Sequence, residues 1–341
     1  MKPILLITKS LVFILITNFT APKVSAIENT KLYRNIEKTL EKNIFDQRLL
    51  STDTYTAQQQ KTRILIDKEL SNDEFIEGFN DIWINGEISH IRLDKTSRTA
   101  NQIYDYVENM NVGDEASTLT WKNGVPIMTI NSMMGQDTIK RINLFYNEIV
   151  KKPSSTLIID LRANKGGAFA LKPLLGHLID KPLNVGRFIT RKWYEKNSSL
   201  PRLNQLTEEK GYLKTSLKGF WEHLESNSIS SVQLSPVAPL FSGHIYVLIS
   251  ANTESAAEMA ADALSNLHNV TLIGRNTAGK MLSQKMYDVA DGIQLSLPIA
   301  NYQSIKNGVI EGKGIQPDIE VDSQKALSLA LEMAAKLNSR K

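Results

Sequence analysis

The amino-acid sequence predicts an α/β fold preceded by a helical region. Two short apolar runs, residues 155–161 and 244–250, are rich in β-branched residues and are typical of buried strands. Each is followed by apolar residues at helical spacing, over about 168–180 and 256–265. Strand, loop and helix in this order make α/β units. We therefore expect the functional site at the carboxyl ends of these strands.

The first 26 residues have the pattern of a secretory signal. Lys2 and Lys9 form a basic start, residues 11–19 an apolar core, and Val24-Ser25-Ala26 a small-residue cleavage site. The apolar run is short for a membrane span, which needs about 20 residues; an uncleaved anchor is the alternative. We predict a periplasmic or secreted protein with no stable membrane span after cleavage.

The composition excludes several classes of function. Cleavage would remove three lysines and no acidic residue, lowering the net charge from +4 to about +1. No basic field remains to attract nucleic acid. The chain has no cysteine, which excludes thiolate catalysis and cysteine metal sites. No pair of its histidines has a metal-binding spacing, so we predict neither a metal nor another cofactor; they are His90, His177, His223, His244 and His268.

Residues 27–112 predict a small helical cap domain. Ser71 and Glu74 form a capping box ahead of an apolar helical face. The pair Ser89-His90 follows in a short apolar segment, where a single histidine is more often structural than catalytic. Residues 95–110 suit another helix.

Residues 113–322 predict the α/β core, and residues 323–341 a C-terminal helical segment. The polar, aromatic-studded stretch 194–240 predicts an irregular insertion, either a lid near the site or a peripheral excursion. Further elements are a hairpin over 118–130, a helix over 137–150, strands over 186–193, 270–273, 283–289, 293–299 and 319–321, and a helix over 324–338.

Ser255 stands at a predicted strand-to-helix junction. A hydroxyl there lies near the positive end of the helix dipole, where developing negative charge is stabilised. Serine is also a favoured helix cap, so the position alone does not decide its role. The loop Arg162–Gly167 ends in two glycines, whose backbone N–H groups could approach a ligand closely or simply form a turn.

Three motifs in order resemble the tail-specific (C-terminal processing) serine protease family and its relatives, the tricorn core and the retinoid-binding-protein repeats. The matching residues are Ile158–Gly167, Ser255–Glu258 with Gly274 and Thr277–Lys280, and Gly312–Asp318. The resemblance covers about residues 120–322. It implies a crotonase-like or β-spiral peptidase core in which Ser255 is the nucleophile. The N–H groups of Gly166 or Gly167 and of Ala256 would then hold the oxyanion.

The resemblance leaves two candidates for the general base. The lysine of tail-specific proteases matches Lys280, which would have to lose its proton near neutral pH. In the tricorn-like branch a Ser-His pair and a glutamate serve instead, and these match Ser89, His90 and Glu311. A histidine needs no large pKa shift for this role. The sequence contains both sets.

Two departures from the family pattern stand out. Tail-specific proteases carry a PDZ domain ahead of the first motif, but only about 30 residues separate His90 from the predicted hairpin, too few for a domain. Asn266 stands where the tail-specific pattern often has an acidic residue.

The sequence thus predicts an exported serine peptidase acting on peptides or unfolded protein segments. A non-catalytic binding domain for a ligand or a protein is one alternative, because a fold does not fix a function. An acyl or ester hydrolase using the same nucleophile is another.

Overall fold

The computed structural model describes residues 26–339 except 69, 85, 153, 203, 204 and 206–210. Apart from Ala26, the predicted signal segment lies outside the described residues. Within the described part of the chain, no helix has both the length and the apolar character that crossing a bilayer requires.

The secondary structure alternates between helices and strands. The helices are α1 (Ala26–Asn43), α2 (Asp53–Ile66), α3 (Asn72–Trp83), α4 (Ala100–Asn109), α5 (Gln136–Ile149), α6 (Leu171–Gly176), α7 (Arg191–Tyr194), α8 (Leu217–Ser226), α9 (Ala256–Ser265) and α10 (Ala326–Asn338). The strands are β1 (Arg92–Lys95), β2 (Ser117–Lys122), β3 (Val125–Ile130), β4 (Thr156–Asp160), β5 (Leu183–Thr190), β6 (Ile229–Leu234), β7 (His244–Ile249), β8 (Val270–Gly274), β9 (Ser283–Ala290), β10 (Ile293–Ser304), β11 (Gly308–Val309) and β12 (Ile319–Glu320).

One sheet has the strand order β12-β8-β7-β4-β3-β2 and is parallel except for the β2–β3 hairpin. Every residue of β4 is buried, as expected of a strand covered on both faces. Asp160 at the end of β4 pairs with Leu248 near the end of β7. The loops that follow these two strands therefore meet at one edge of the sheet, and the predicted α/β architecture is confirmed.

The second sheet is antiparallel and has β10 at its centre. Its order is β1-β10-β5-β6, and β9 and β11 also pair with β10. The prediction of an irregular insertion over 194–240 is wrong for its second half, since β6 pairs with β5 and α8 packs on both. The sequence does not predict β6, because Ser230 and Ser231 are polar residues in a strand and yet are fully buried.

Several predicted boundaries also shift. The helix predicted over 95–110 begins only at Ala100, because a capping box between Thr99 and Gln102 starts it there. The helix predicted over 168–180 is shorter and corresponds to α6. It ends at Gly176, whose carbonyl accepts a hydrogen bond from the N–H of Val237 and not from a further turn of helix. The strand predicted over 186–193 ends at Thr190 and gives way to α7.

Helices α1 to α3 share a hydrophobic core with the antiparallel sheet. Ile36, Phe75 and Phe79 of the helices are fully buried in one cluster with Leu295 and Leu297 of β10. Asn80 of α3 adds a polar link: its side chain accepts from the N–H of Leu93 at 2.8 Å and donates to the Leu93 carbonyl at 2.9 Å. This link satisfies the backbone of β1 and fixes the strand that follows Ser89 and His90. The division between a cap domain and the core at residue 112 remains a prediction.

We predict that Asn80→Ala lowers the free energy of unfolding by about 1–3 kcal/mol, because it leaves the buried backbone polar groups of Leu93 without their partner. Thermal or urea unfolding followed by circular dichroism measures the change. The control is Asn109→Ala, an exposed asparagine whose side chain donates to the Asp105 carbonyl; for this variant we expect a change within about 0.5 kcal/mol. An equal change in the free energy of unfolding for both variants would contradict the assigned role of Asn80.

Candidate active site

Ser255 lies in the turn between β7 and α9, immediately before the helix. Its φ of 56° is in the left-handed region, which is uncommon for a residue other than glycine. Its N–H contacts both the Lys280 carbonyl at 3.0 Å and the Glu258 carboxylate at 3.1 Å. Strained backbone of this kind persists only where the surroundings hold it in place. The turn presents Ser255, which is half-buried, at the N-terminal end of α9.

The loop after β4 packs directly against Ser255. The carbonyl of the buried residue Asn164 accepts a hydrogen bond from the Glu254 N–H at 2.9 Å, and its side chain donates to the Ile130 carbonyl at 2.9 Å. A Cβ on Gly166 would lie 2.7 Å from the Cβ of Ser255. The position therefore requires glycine, since any side chain would push the two loops apart.

The three predicted oxyanion donors differ in their availability. The N–H of Gly166 already donates to the side-chain oxygen of Asn164 at 2.8 Å, so it is not available to a ligand in this arrangement. Among the described residues, the N–H groups of Gly167 and Ala256 have no hydrogen-bond acceptor. Both residues line the same cavity as Ser255.

A buried carboxylate, Glu258, ties the Ser255 turn to the segment that carries Lys280. Its oxygens accept hydrogen bonds from the Thr277 hydroxyl at 2.6 Å and from the N–H groups of Gly279 and Lys280, both at 2.8 Å, besides that of Ser255. Burial raises the pKa of Glu258, although these hydrogen bonds act in the opposite direction. The sequence places Glu258 in the second motif but predicts no role for it. Its spacing from Ser255, typical of a capping box, was the available signal.

The third motif reaches the site through a contact between two glycines. A Cβ on Gly279 would lie 2.8 Å from the N atoms of Lys313 and Gly314, and one on Gly314 would lie 2.4 Å from the Thr277 carbonyl. The N–H of Gly312 donates to the Gly279 carbonyl at 2.7 Å. Only backbones without side chains can approach this closely, and the approach brings Glu311 next to the segment that follows Lys280.

Glu311, Ser89 and His90 form a hydrogen-bonded chain. The carboxylate of Glu311 accepts from the N–H of Met281 at 2.6 Å and from that of Ser89 at 3.3 Å. The Ser89 hydroxyl lies 2.6 Å from Nδ1 of His90, whose φ is 66°. Burial raises the pKa of Glu311, against the opposite effect of its hydrogen bonds with Ser89 and Met281. Glu311 and the Ser89-His90 pair, which are far apart in sequence, therefore lie in hydrogen-bond contact, as the resemblance predicts.

His90 lies in surroundings that disfavour its protonated form. Burial, followed by the charges of Lys280 and Arg92, lowers the pKa of His90 to about 4. A neutral imidazole at physiological pH has a ring nitrogen available to accept a proton.

Lys280 is in a different situation. Its ammonium lies 3.6 Å from the carboxylate of Glu254, the residue before Ser255, and 43% of its side chain is exposed. The side chain is thus paired with a carboxylate and in contact with water. The backbone of Lys280 nevertheless holds the site together, because its carbonyl and its N–H bind Ser255 and Glu258.

A cavity of about 690 Å³ opens beside these groups. Ser255, His90 and Lys280 line it together with the loop of Gly166 and Gly167. Its far wall includes Leu217, Phe220 and Trp221 of α8. The segment predicted as a lid or a peripheral excursion thus contributes, through α8, to the wall of the candidate site.

The model of one protein family matches residues 124–321, more than half of the chain, and its description is peptidase family S41. The chain belongs to peptidase family S41. The resemblance to C-terminal processing proteases is thereby confirmed.

Relatives within the family are distant. The carboxyl-terminal-processing protease of Synechocystis sp. is 26% identical over 199 residues, which are 58% of this chain and 38% of that protein. The chain thus matches well under half the length of this curated relative. A lipoprotein of known structure from Streptococcus agalactiae has 16% identity and a TM-score of 0.57, covering 93% of this chain and 98% of its own. The photosystem II D1 C-terminal processing protease has 12% identity and a TM-score of 0.53, with coverages of 87% and 94%. These structural matches support the fold.

We predict that Glu258→Gln destabilises the protein by at least about 2 kcal/mol, because an amide offers one acceptor oxygen and turns N–H groups towards existing donors. Chemical denaturation measures the loss. Glu222→Gln, an exposed carboxylate on α8, is the matched control and should unfold like the wild type. A Glu258→Gln variant with wild-type stability would mean that the four hydrogen bonds do not hold the site.

Proposed function

We propose that this S41 protein is a serine peptidase that hydrolyses peptide bonds in peptides or unfolded protein segments. The observation that carries the proposal is that Ser255 and His90 line one cavity, with Ser89 and Glu311 hydrogen-bonded behind the imidazole. A nucleophile, a base and an orienting group in this order are what acyl transfer by serine requires. The signal-like pattern of residues 1–26 supports action outside the cytoplasm.

In the proposed mechanism, the hydroxyl of Ser255 attacks the peptide carbonyl and His90 takes its proton. Nδ1 of His90 carries a proton that it donates to the Ser89 hydroxyl, which leaves Nε2 as the acceptor. The N–H groups of Gly167 and Ala256 hold the oxyanion. His90 then protonates the leaving amine, and water hydrolyses the acyl-enzyme by the same route in reverse.

We propose His90 rather than Lys280 as the base. A lysine base has to be desolvated or surrounded by cations to release its proton near neutral pH. Lys280 instead has Glu254 beside it and solvent around it. His90 is unprotonated near neutral pH and can accept a proton without first losing one. In this mechanism Lys280 acts on the base at a distance, because its positive charge disfavours the imidazolium.

The retained chemistry disfavours the non-catalytic binding domain. A scaffold that only binds a ligand has no need of a strained serine turn or of a neutral imidazole that is linked through Ser89 to the carboxylate of Glu311. Strain and perturbed titratable groups of this kind cluster at catalytic sites.

We predict that a fluorophosphonate probe labels the wild-type protein and that Ser255→Ala abolishes both labelling and peptide hydrolysis. Mass spectrometry of the labelled peptide locates the modified residue. Ser265→Ala, a serine at the other end of α9, should be labelled like the wild type. A folded wild type that resists the probe and cleaves no peptide would favour the binding domain instead.

We predict that His90→Ala lowers kcat by about 10²–10⁴-fold. Lys280→Met should lower kcat by less than about 10-fold at pH values where His90 is unprotonated. Wild-type kcat/KM should rise with pH through about 4, where His90 loses its proton, and level off above it. Lys280→Met should move this rise to higher pH, because removing a cation makes the imidazolium easier to form.

Profiles of kcat/KM against pH for both variants, with the exposed Lys122→Met as control, measure these effects. The assignment is wrong if Lys280→Met is inactive at every pH while His90→Ala retains activity.

A further inference from the structure

The cavity beside Ser255 has a charged end and an apolar end. Among the described residues that line it, those with charged side chains are Arg92, Lys165, Glu254 and Lys280. The last three belong to the loops around Ser255, and Arg92 begins β1 just after His90. The rest of the lining includes polar side chains, such as those of Asn131, Ser132 and Gln284, and a group of buried apolar side chains that belong to the hydrophobic core. These buried apolar side chains form the apolar end of the cavity.

Helix α9 gives the direction of the apolar end relative to Ser255. Met259 lies one turn after Ser255, and its N–H donates a hydrogen bond to the Ser255 carbonyl at 3.0 Å. Both line the cavity, and Met259 is buried in the core. A substrate side chain next to a carbonyl held at Ser255 would therefore point along α9 towards Met259.

Aromatic residues make the walls of this apolar end rigid. Phe188 of β5 and Phe220 of α8 meet edge to face, with ring centroids 5.1 Å apart. Trp221 packs on Tyr104 of α4 at 4.5 Å. Phe188, Phe220 and Trp221 are all buried, and all line the cavity. Rings fixed by each other keep such a pocket open without a ligand.

Met286 of β9 completes the wall and is half-buried. Its carbonyl accepts a hydrogen bond from the Tyr104 hydroxyl, which fixes the backbone at this point. Its side chain can therefore be exchanged with less disturbance than the fully buried rings.

We propose that this apolar end is the subsite for the residue whose carbonyl Ser255 attacks, and that it selects a bulky apolar side chain such as Leu, Met or Phe. Met286 is a specificity-determining residue of this subsite. The inference rests on the proposed peptidase function and adds the class of substrate. A small residue would leave the apolar walls without contacts, and a charged one would lose its hydration without gaining a partner.

The test is a series of peptides with fixed flanking sequence that differ only at this residue, with cleavage sites identified by mass spectrometry. We expect kcat/KM for the Leu peptide to be about 100-fold higher than kcat/KM for the Ala peptide, because even one methylene in an apolar pocket changes selectivity about 10–200-fold. The difference between the Leu peptide and the Glu or Lys peptide should be larger still. Cleavage of the Ala and Glu peptides at the rate of the Leu peptide would overturn the proposal.

Met286→Lys should lower the preference for Leu over Glu by at least about 10-fold, because it places a cation in the apolar wall. Met333→Lys, the same change at a half-buried methionine of α10, should leave the preference unaltered. If Met286→Lys does not fold, Met286→Ala serves instead: it enlarges the pocket and should favour Phe over Leu. An unaltered preference in the folded Met286 variant would refute the role of Met286.

Binding to the Ser255→Ala variant separates this inference from the proposed function. Isothermal titration should show the Leu peptide binding about 10-fold or more tightly than the Ala or Glu peptide, whether or not the wild type cleaves any of them. Wild-type hydrolysis that Ser255→Ala does not abolish would refute the peptidase proposal alone. Equal affinity for all the peptides would refute the apolar subsite alone.

Discussion

The geometry of the candidate site depends on one buried carboxylate, that of Glu258. It accepts four hydrogen bonds, from the turn that holds Ser255 and from the segment between Thr277 and Lys280. An ionised group without solvent is costly unless such donors surround it. Once they do, neither the turn nor the segment can move without breaking several bonds at once. The strained conformation of Ser255 is thus held by a hydrogen bond to a buried carboxylate of α9.

Close backbone contacts extend this constraint to the rest of the site. Gly166 lies against Ser255, and Gly279 lies against Gly314, at distances that leave no room for a side chain. The first contact joins the loops after β4 and β7, which neighbouring parallel strands bring together. The second brings in the segment with Glu311, whose carboxylate in turn holds Ser89 and so orients His90. The three sequence motifs are therefore joined by direct contacts, in which the second motif touches both the first and the third.

The sequence predicts those helices, strands and turns that local residue patterns determine. The bounds of α9, the strand before it and the β2–β3 hairpin follow from periodicity and turn residues, and the structure has them where they were expected. Strand β6 was missed because Ser230 and Ser231 are buried through long-range packing, which contradicts their local preference. The sequence also left the base open, since the choice between Lys280 and His90 depends on their neighbours. Glu254 beside the lysine and the burial of the imidazole are visible only when the chain is folded.

The helical region at the start of the described chain has a second consequence for the site. Ser89 and His90 precede β1, and β1 is held by the sheet on one side and by Asn80 of α3 on the other. Ser255, Gly167 and Ala256 belong instead to the parallel sheet and its loops. Detachment of α3 would remove the support of β1 and so displace His90 relative to Ser255. In the proposed mechanism, hydrolysis therefore depends on the docking of a helix that contributes no reacting group.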